Sequence, residues 1–209
     1  MIEASTGRGS AEAVVSSRYG STMVDAGSRY GNAEVEASSR YGSAEAVVSS
    51  RYAEAVVSSR YGSTMVEAGS RYGSAEVEAS SRYGSSEAVV SSRYGSAVAV
   101  VSGSAEVVVS SRCGSAVVEA SRGRGSAEAV VSSKYGSAEA VVSSREGSAQ
   151  AVVSGSAEAV VSSRYGSAVV ETSRGRGSVE AVVCSRYGIA EAVVCSRYGS
   201  AEAVVSSRY

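Results

Sequence analysis

From residue 9 to residue 209 the sequence repeats one 11-residue unit, GSAEAVVSSRY, whose residues are numbered here as positions 1 to 11. Nineteen units follow one another, and sixteen of them have the full length. The irregular units lie at 53–61, which lacks its Gly-Ser, and at 95–102 and 147–154, which lack the Ser-Arg-Tyr end. Residues 1–8 form a short leader outside the repeat. A fixed short period of this kind indicates a repeat array rather than an ordinary domain.

An α-helix fits this period poorly. Eleven residues correspond to three turns of about 3.67 residues, which would give a right-handed supercoil. On such a helix the Arg would fall in the middle of the sector that holds the two Val, an Ala and the Tyr. Each unit also contains Gly, three Ser and two Val, which are mediocre or poor helix formers.

A β-strand explains the unit better, and we predict an all-β tandem-repeat array. A Gly-Ser turn followed by a nine-residue strand gives an antiparallel meander or sandwich. Folding the second unit back on the first sets Val15 against Ala26 and Glu12 against Arg29. Opposite charges paired in this way contribute roughly 0.2–1 kcal/mol each.

The odd positions carry Ala, Ala, Val, Ser and Tyr, so they predict the drier face of each strand. In a meander, the shortened units 95–102 and 147–154 would flip the odd positions to the other face of the sheet. Two alternatives remain open. One is a β-solenoid with one unit per coil, which would stack Tyr on Tyr but also Glu on Glu and Arg on Arg. The other is a largely disordered low-complexity chain.

The side chains available for a core are small. The sequence has no Leu, Phe, Trp, Pro or His, and Tyr is its only aromatic residue. One sheet of Ala and Val could not offset a chain entropy of about 1–2 kcal/mol per residue. A folded form therefore needs a second sheet, or other copies of the chain, to complete its burial.

The composition predicts no enzyme, no catalytic residue, no cofactor and no metal site. Without His, the commonest general base and metal ligand is missing. Lys134 replaces a repeat Arg and is the only candidate base for a serine nucleophile. Cys184 and Cys195 occupy the same place in neighbouring units, as a copied Ser-to-Cys change would, and Cys113 replaces a repeat Tyr.

Charge gives little indication of a partner other than the chain itself. The formal net charge is −1, and acidic and basic residues alternate. We expect no small-molecule substrate and no membrane contact. The Arg-Gly tracts at 7–10, 122–126 and 174–178 resemble nucleic-acid-binding segments only weakly. The sequence shows no signal peptide or transmembrane segment, so the default expectation is a cytoplasmic protein.

The sequence therefore favours a non-enzymatic, self-associating protein of structural or matrix type. Its recurrent Arg-Tyr pairs, such as Arg18-Tyr19 and Arg164-Tyr165, would act through many weak contacts. Replacing the repeat Tyr with Ser should then weaken assembly. The alternatives are a translated minisatellite with no selected function and a weak nucleic-acid binder.

Overall fold

The protein is a stack of short β-strands in the computed structural model, which describes residues 2–6, 9–176 and 178–208. No helix occurs in these ranges. The strands are β1 (Ile2–Thr6), β2 (Ala11–Tyr19), β3 (Thr22–Ser28), β4 (Asn32–Tyr41), β5 (Ala44–Ser50), β6 (Tyr52–Tyr61), β7 (Thr64–Tyr72), β8 (Ala75–Tyr94), β9 (Ala97–Cys113), β10 (Ala116–Arg124), β11 (Ala127–Glu146), β12 (Ala149–Tyr165), β13 (Ala168–Arg176), β14 (Val179–Tyr187), β15 (Ala190–Tyr198) and β16 (Ala201–Ser207).

Every unit pairs in parallel with the unit two further along the chain. Ala11 lies beside Ala33 and Tyr19 beside Tyr41, a separation of 22 residues. One coil therefore contains two units, and the chain makes about nine turns of a β-solenoid. The leader strand β1 continues the same ladder, because Ile2 pairs with Val24 of β3.

The two units of each coil lie in two facing sheets, and the longest strands run through a corner and contribute to both. Sheet A consists of β2, β4, β6, the first parts of β8 and β9, β10, the second parts of β11 and β12, β14 and β16. Sheet B consists of β1, β3, β5, β7, the second parts of β8 and β9, the first parts of β11 and β12, β13 and β15.

The all-β prediction is confirmed, and the β-solenoid is the form that the structure shows. The antiparallel meander is wrong, because every pairing among the described strands is parallel. Two units rather than one make a coil. The Gly-Ser step turns the chain from one sheet into the other and does not reverse it beside itself, so the expected Glu–Arg partners lie on different sheets.

The core is the space between the two sheets, and the odd positions line it as predicted. Val48, Val109 and Val142 show how completely the position-7 residues are enclosed, since each is at most 1% exposed. The Ala residues of positions 3 and 5 are also buried in most coils. Small side chains suit this arrangement because they let two sheets pack closely along the whole stack. The position-11 Tyr is the exception, since it is exposed at the corner.

Most position-9 serines are buried, and their hydroxyls donate hydrogen bonds to backbone carbonyls at the corners. The Ser133 hydroxyl donates to the Gly114 carbonyl at 3.1 Å, and the Ser185 hydroxyl donates to the Gly166 carbonyl at 3.0 Å. The same bond recurs in most described coils. A buried hydroxyl without such a partner would cost about 1–3 kcal/mol. This inner Ser is therefore a structural residue rather than an exposed nucleophile.

The shortened units remove residues from the corners and leave the strands in register. Ser132 pairs with Ser154 and Ser137 with Ser156, so the single residue Gly155 spans a corner that takes four residues in the neighbouring coil. The coil is 19 residues long there, instead of 22. The predicted flip of the odd positions is wrong, since Ala105 and Ala157 still face inward.

The corner glycine is required by both its conformation and its surroundings. Gly166 has a φ of 139°, and a Cβ built on it would lie 2.1 Å from the Gly147 carbonyl oxygen of the adjacent coil. Only glycine adopts this backbone region readily. The step between stacked coils thus leaves no room for a side chain at position 1.

Gly166→Ala should therefore lower the midpoint of denaturant unfolding, with a loss of at least ~1–3 kcal/mol from the backbone conformation alone. Gly69→Ala is the matched control, because Gly69 lies in a strand and its added Cβ would meet only the Ser91 Oγ at 3.7 Å. The control should leave the midpoint unchanged or raise it. Equal losses in the two variants would contradict this account of the corner.

Candidate interaction surfaces

Each sheet presents an outward face made of four parallel rows. Because side chains alternate along a strand, positions 4, 6, 8 and 10 point outward together. Those positions carry Glu, Val, Ser and Arg in the consensus unit. In-register stacking repeats each residue type in coil after coil, about 4.8 Å apart. Face A and face B denote the outward surfaces of sheets A and B.

The C-terminal part of face A, residues 138–208, is the most regular surface among the described residues. Its Val row is exposed, with Val182 at 37% and Val204 at 61%. Glu158 and Arg164 are exposed at opposite ends of one strand. The four rows, listed from one strand end to the other, are Glu139, Glu158, Glu180 and Glu202; Val141, Val160, Val182 and Val204; Ser143, Ser162, Cys184 and Ser206; and Arg145, Arg164, Arg186 and Arg208.

The N-terminal part of face A differs in its second row, where Glu alternates with Val. Glu36 lies between Val14 and Val56, and Glu78 lies between Val56 and Val100. The alternation interrupts the apolar row and separates the Glu36 and Glu78 charges by one coil. This part of the face is consequently more acidic and less apolar than residues 138–208.

The charges of the Glu row and the Arg row disappear together in the two eight-residue units. Unit 95–102, with the sequence GSAVAVVS, has lost its Arg and has Val98 at position 4. Unit 147–154, with the sequence GSAQAVVS, has also lost its Arg and has Gln150 at position 4. Two different neutral residues replace Glu in the two units. Each of these units therefore lacks one negative and one positive charge, and the charges of the Glu row and the Arg row stay equal in number although the rows lie six residues apart.

The tyrosines stack in ladders along the corners. Tyr19, Tyr41, Tyr61 and Tyr83 form the longest ladder, with ring centroids 5.0–5.3 Å apart and nearly parallel planes. Tyr83 is 57% exposed and Tyr61 40%, because the shortened unit 95–102 ends the ladder beside Tyr83. Such stacked pairs contribute about 0.5–1.5 kcal/mol each beyond their buried area. The Tyr rings thus help to hold neighbouring coils together within one chain.

The predicted Arg-Tyr pairs are present. The Arg18 guanidinium carbon lies 5.8 Å from the Tyr19 ring centroid, and that of Arg164 lies 5.6 Å from the Tyr165 centroid. These distances are near the outer limit for a cation–π contact, about 6 Å. Lys134 takes the Arg place, with its ammonium 5.6 Å from the Tyr135 centroid.

The cysteines are separated by the fold. Cys184 lies at position 8 of face A, where the Ser206 hydroxyl donates to its sulfur at 3.3 Å. Cys195 lies at position 8 of face B, on the opposite side of the solenoid. Cys113 stands at a corner in the place of a Tyr, and all three thiols are free.

Oxidation of a dilute sample should therefore give no Cys184–Cys195 bond within one chain, as shown by non-reducing electrophoresis and peptide mass spectrometry. The control is Ser162→Cys, because Ser162 is the in-register neighbour of Cys184 in the same row. That new pair should close within one chain, since adjacent strands bring Cα atoms within disulfide reach. A 184–195 crosslink in the monomer would contradict the placement of the units on opposite sheets.

The remaining sequence candidates form no chemical site in the described part of the chain. No group of three or more His, Cys, Asp or Glu residues that could hold a metal is found among the described residues. The backbones of Arg122–Arg124 and Arg174–Arg176 continue β10 and β13. The side chains of these arginines, and residues 7 and 8, lie outside the described structure.

Sequence reasoning missed the exposed Val rows as a surface. The strand pattern already placed position 6 on the outward face with Glu, Ser and Arg, so the sequence did indicate that these Val residues are exposed. What the sequence did not reveal was in-register stacking, which turns isolated Val residues into a continuous apolar row.

No protein-family model, curated protein or solved structure matches this chain. Among the described residues, the search for a helix long and apolar enough to span a membrane finds none.

Proposed function

We propose that this chain is a non-enzymatic structural protein that assembles with other copies of itself through its outward faces. The observation that carries the proposal is the regular array at residues 138–208 of face A. There, four stacked Val residues lie exposed between a row of Glu and a row of Arg. A flat apolar row of this kind is the part of the surface that gains most from being covered.

The size of the faces supports assembly. Ten strands about 4.8 Å apart, each about 20 Å long between its outermost outward residues, give a face on the order of 1,000 Å². A stable interface buries about 800 Å² per partner. One face is therefore large enough for a specific contact, and the solenoid has two.

The Tyr rings support the proposal less directly than the sequence suggested. Replacing the repeat Tyr with Ser is still expected to weaken assembly, but the stacked rings also join coils within one chain. A Tyr variant would therefore change stability and assembly together. The Val row gives a cleaner test, because the repeat itself shows which substitution the fold accepts there.

The double variant Val160→Glu and Val204→Glu makes Glu alternate with Val in the C-terminal part of face A. Glu36 and Glu78 produce the same alternation in the N-terminal part. The variant should keep the β-type circular dichroism spectrum and need about tenfold or more higher concentration to assemble in sedimentation experiments. Loss of one buried Val costs at least ~1.5 kcal/mol, and 1.4 kcal/mol corresponds to tenfold.

The reverse change, Glu36→Val with Glu78→Val, is the matched control. It extends the Val row into the N-terminal part and should lower the assembly concentration. A chain that stays monomeric at about 100 μM, a range in which exposed edges associate, would refute self-association. Assembly of both variants at the wild-type concentration would show that the faces are not the contact.

A further inference from the structure

The rows of face A dictate how a second copy must lie on it. We propose that two copies contact each other through face A with their solenoid axes parallel, so that the Glu row of each lies opposite the Arg row of the other. The inference rests on the proposed self-association and adds the partner surface and its orientation.

Opposite charges are widely separated on face A. Position 4 and position 10 are six residues apart, so the Glu row and the Arg row lie about 20 Å from each other. Both rows point outward from the same flat surface, at opposite ends of its strands. The rows are too far apart to neutralise each other within one face. Each row therefore presents a line of like charges at coil spacing to whatever covers it.

A second copy can lie on this face in two simple ways. Rotation by half a turn about an axis parallel to the solenoid reverses the strand direction and leaves the solenoid axes parallel. The Glu row then meets the Arg row at both edges, and the Val row of each copy meets the Ser row of the other. Rotation about an axis along the strands instead sets Glu on Glu and Arg on Arg. Charge complementarity selects the first arrangement.

The interruptions of face A also fit this arrangement. The charged rows fall into two blocks of four coils, and between them two coils have neither a position-4 acid nor a position-10 cation. Those two coils carry Val98 and Val117 at position 4, while position 10 is missing in one and is Gly123 in the other. With equal coils opposed, charged block meets charged block, and the two coils that lack both row charges meet their counterparts. Displacement by one or two coils would leave charges without partners.

The loss of Glu together with Arg in unit 95–102, the eight-residue unit of face A, has a physical reason in this contact. Within one chain, removing the corner that carries an Arg does not touch a Glu about 20 Å away. Across the proposed contact, the same removal leaves the partner's Glu opposite an empty place. In that unit position 4 is the neutral Val98, which avoids the unpaired charge.

The two rows can be tested by cysteine crosslinking between copies. Both variants carry Cys113→Ser, Cys184→Ser and Cys195→Ser, so that each has one thiol. The first adds Glu158→Cys in the Glu row, and the second adds Arg164→Cys in the Arg row of the same strand. The variants are tagged to differ in mass, mixed at an assembling concentration and treated with a thiol-specific bismaleimide that spans about 10 Å, the distance between two sheets packed face to face. Non-reducing electrophoresis then separates mixed dimers from like dimers.

The mixed dimer should exceed either like dimer by about tenfold, because only opposed rows bring the two thiols within the span of the crosslinker. A predominance of like dimers would overturn the parallel orientation while leaving self-association in place. Assembly in sedimentation without any crosslink would also overturn the inference, because it is the result expected when antiparallel axes set each coil against a different coil, or when the contact lies at the strand edges of the end coils. Absence of assembly would overturn the proposed function as well.

Discussion

In-register parallel pairing of each unit with the unit two further along is the interaction on which the whole structure depends. It joins identical backbones, so the hydrogen bonds of one coil are repeated in the next, as with Ala11 beside Ala33 and Ala33 beside Ala53. It also joins identical side chains. The buried Val column, the inner Ser bonds, the Tyr ladders and the outward charged rows are all consequences of the same register.

This register has an electrostatic cost that the core offsets. Exposed like charges on neighbouring strands destabilise by a few tenths of a kcal/mol up to about 1 kcal/mol. Full burial of one Val contributes about 1.5–3 kcal/mol, and each coil in the interior of the stack buries a position-7 residue in both sheets, usually Val, together with Ala side chains. Since a meander of one layer would gain only exposed Glu–Arg pairs, enclosing the odd positions between two sheets is the stronger effect. The alternation of Glu and Val in the N-terminal part reduces the remaining repulsion.

The sequence predicts the fold class and the inward residues, because strand periodicity alone determines which positions share a side. It does not determine the pairing direction. Gly-Ser suits both a hairpin and a corner, and the Glu–Arg pattern is compatible with antiparallel strands. The pairing direction is decided by the space at the corner, where Gly166 lies against the Gly147 carbonyl. That contact exists only between stacked coils. The outward surface could not be predicted from the sequence either, since the Val row arises from stacking and not from any single unit.

The most direct test of the stacking is a comparison of two distances measured with spin labels. Ser38 is the in-register neighbour of Ser58 in sheet A, whereas Val47 lies on the opposite face. An antiparallel hairpin about Gly42 and Ser43 would instead bring residue 38 beside residue 47. Pairs of labelled cysteines are placed at 38 and 58 and at 38 and 47, with the native cysteines replaced by Ser. Strong dipolar broadening for 38 and 58, and weak broadening for 38 and 47, is the predicted result, and the reverse pattern would contradict the solenoid.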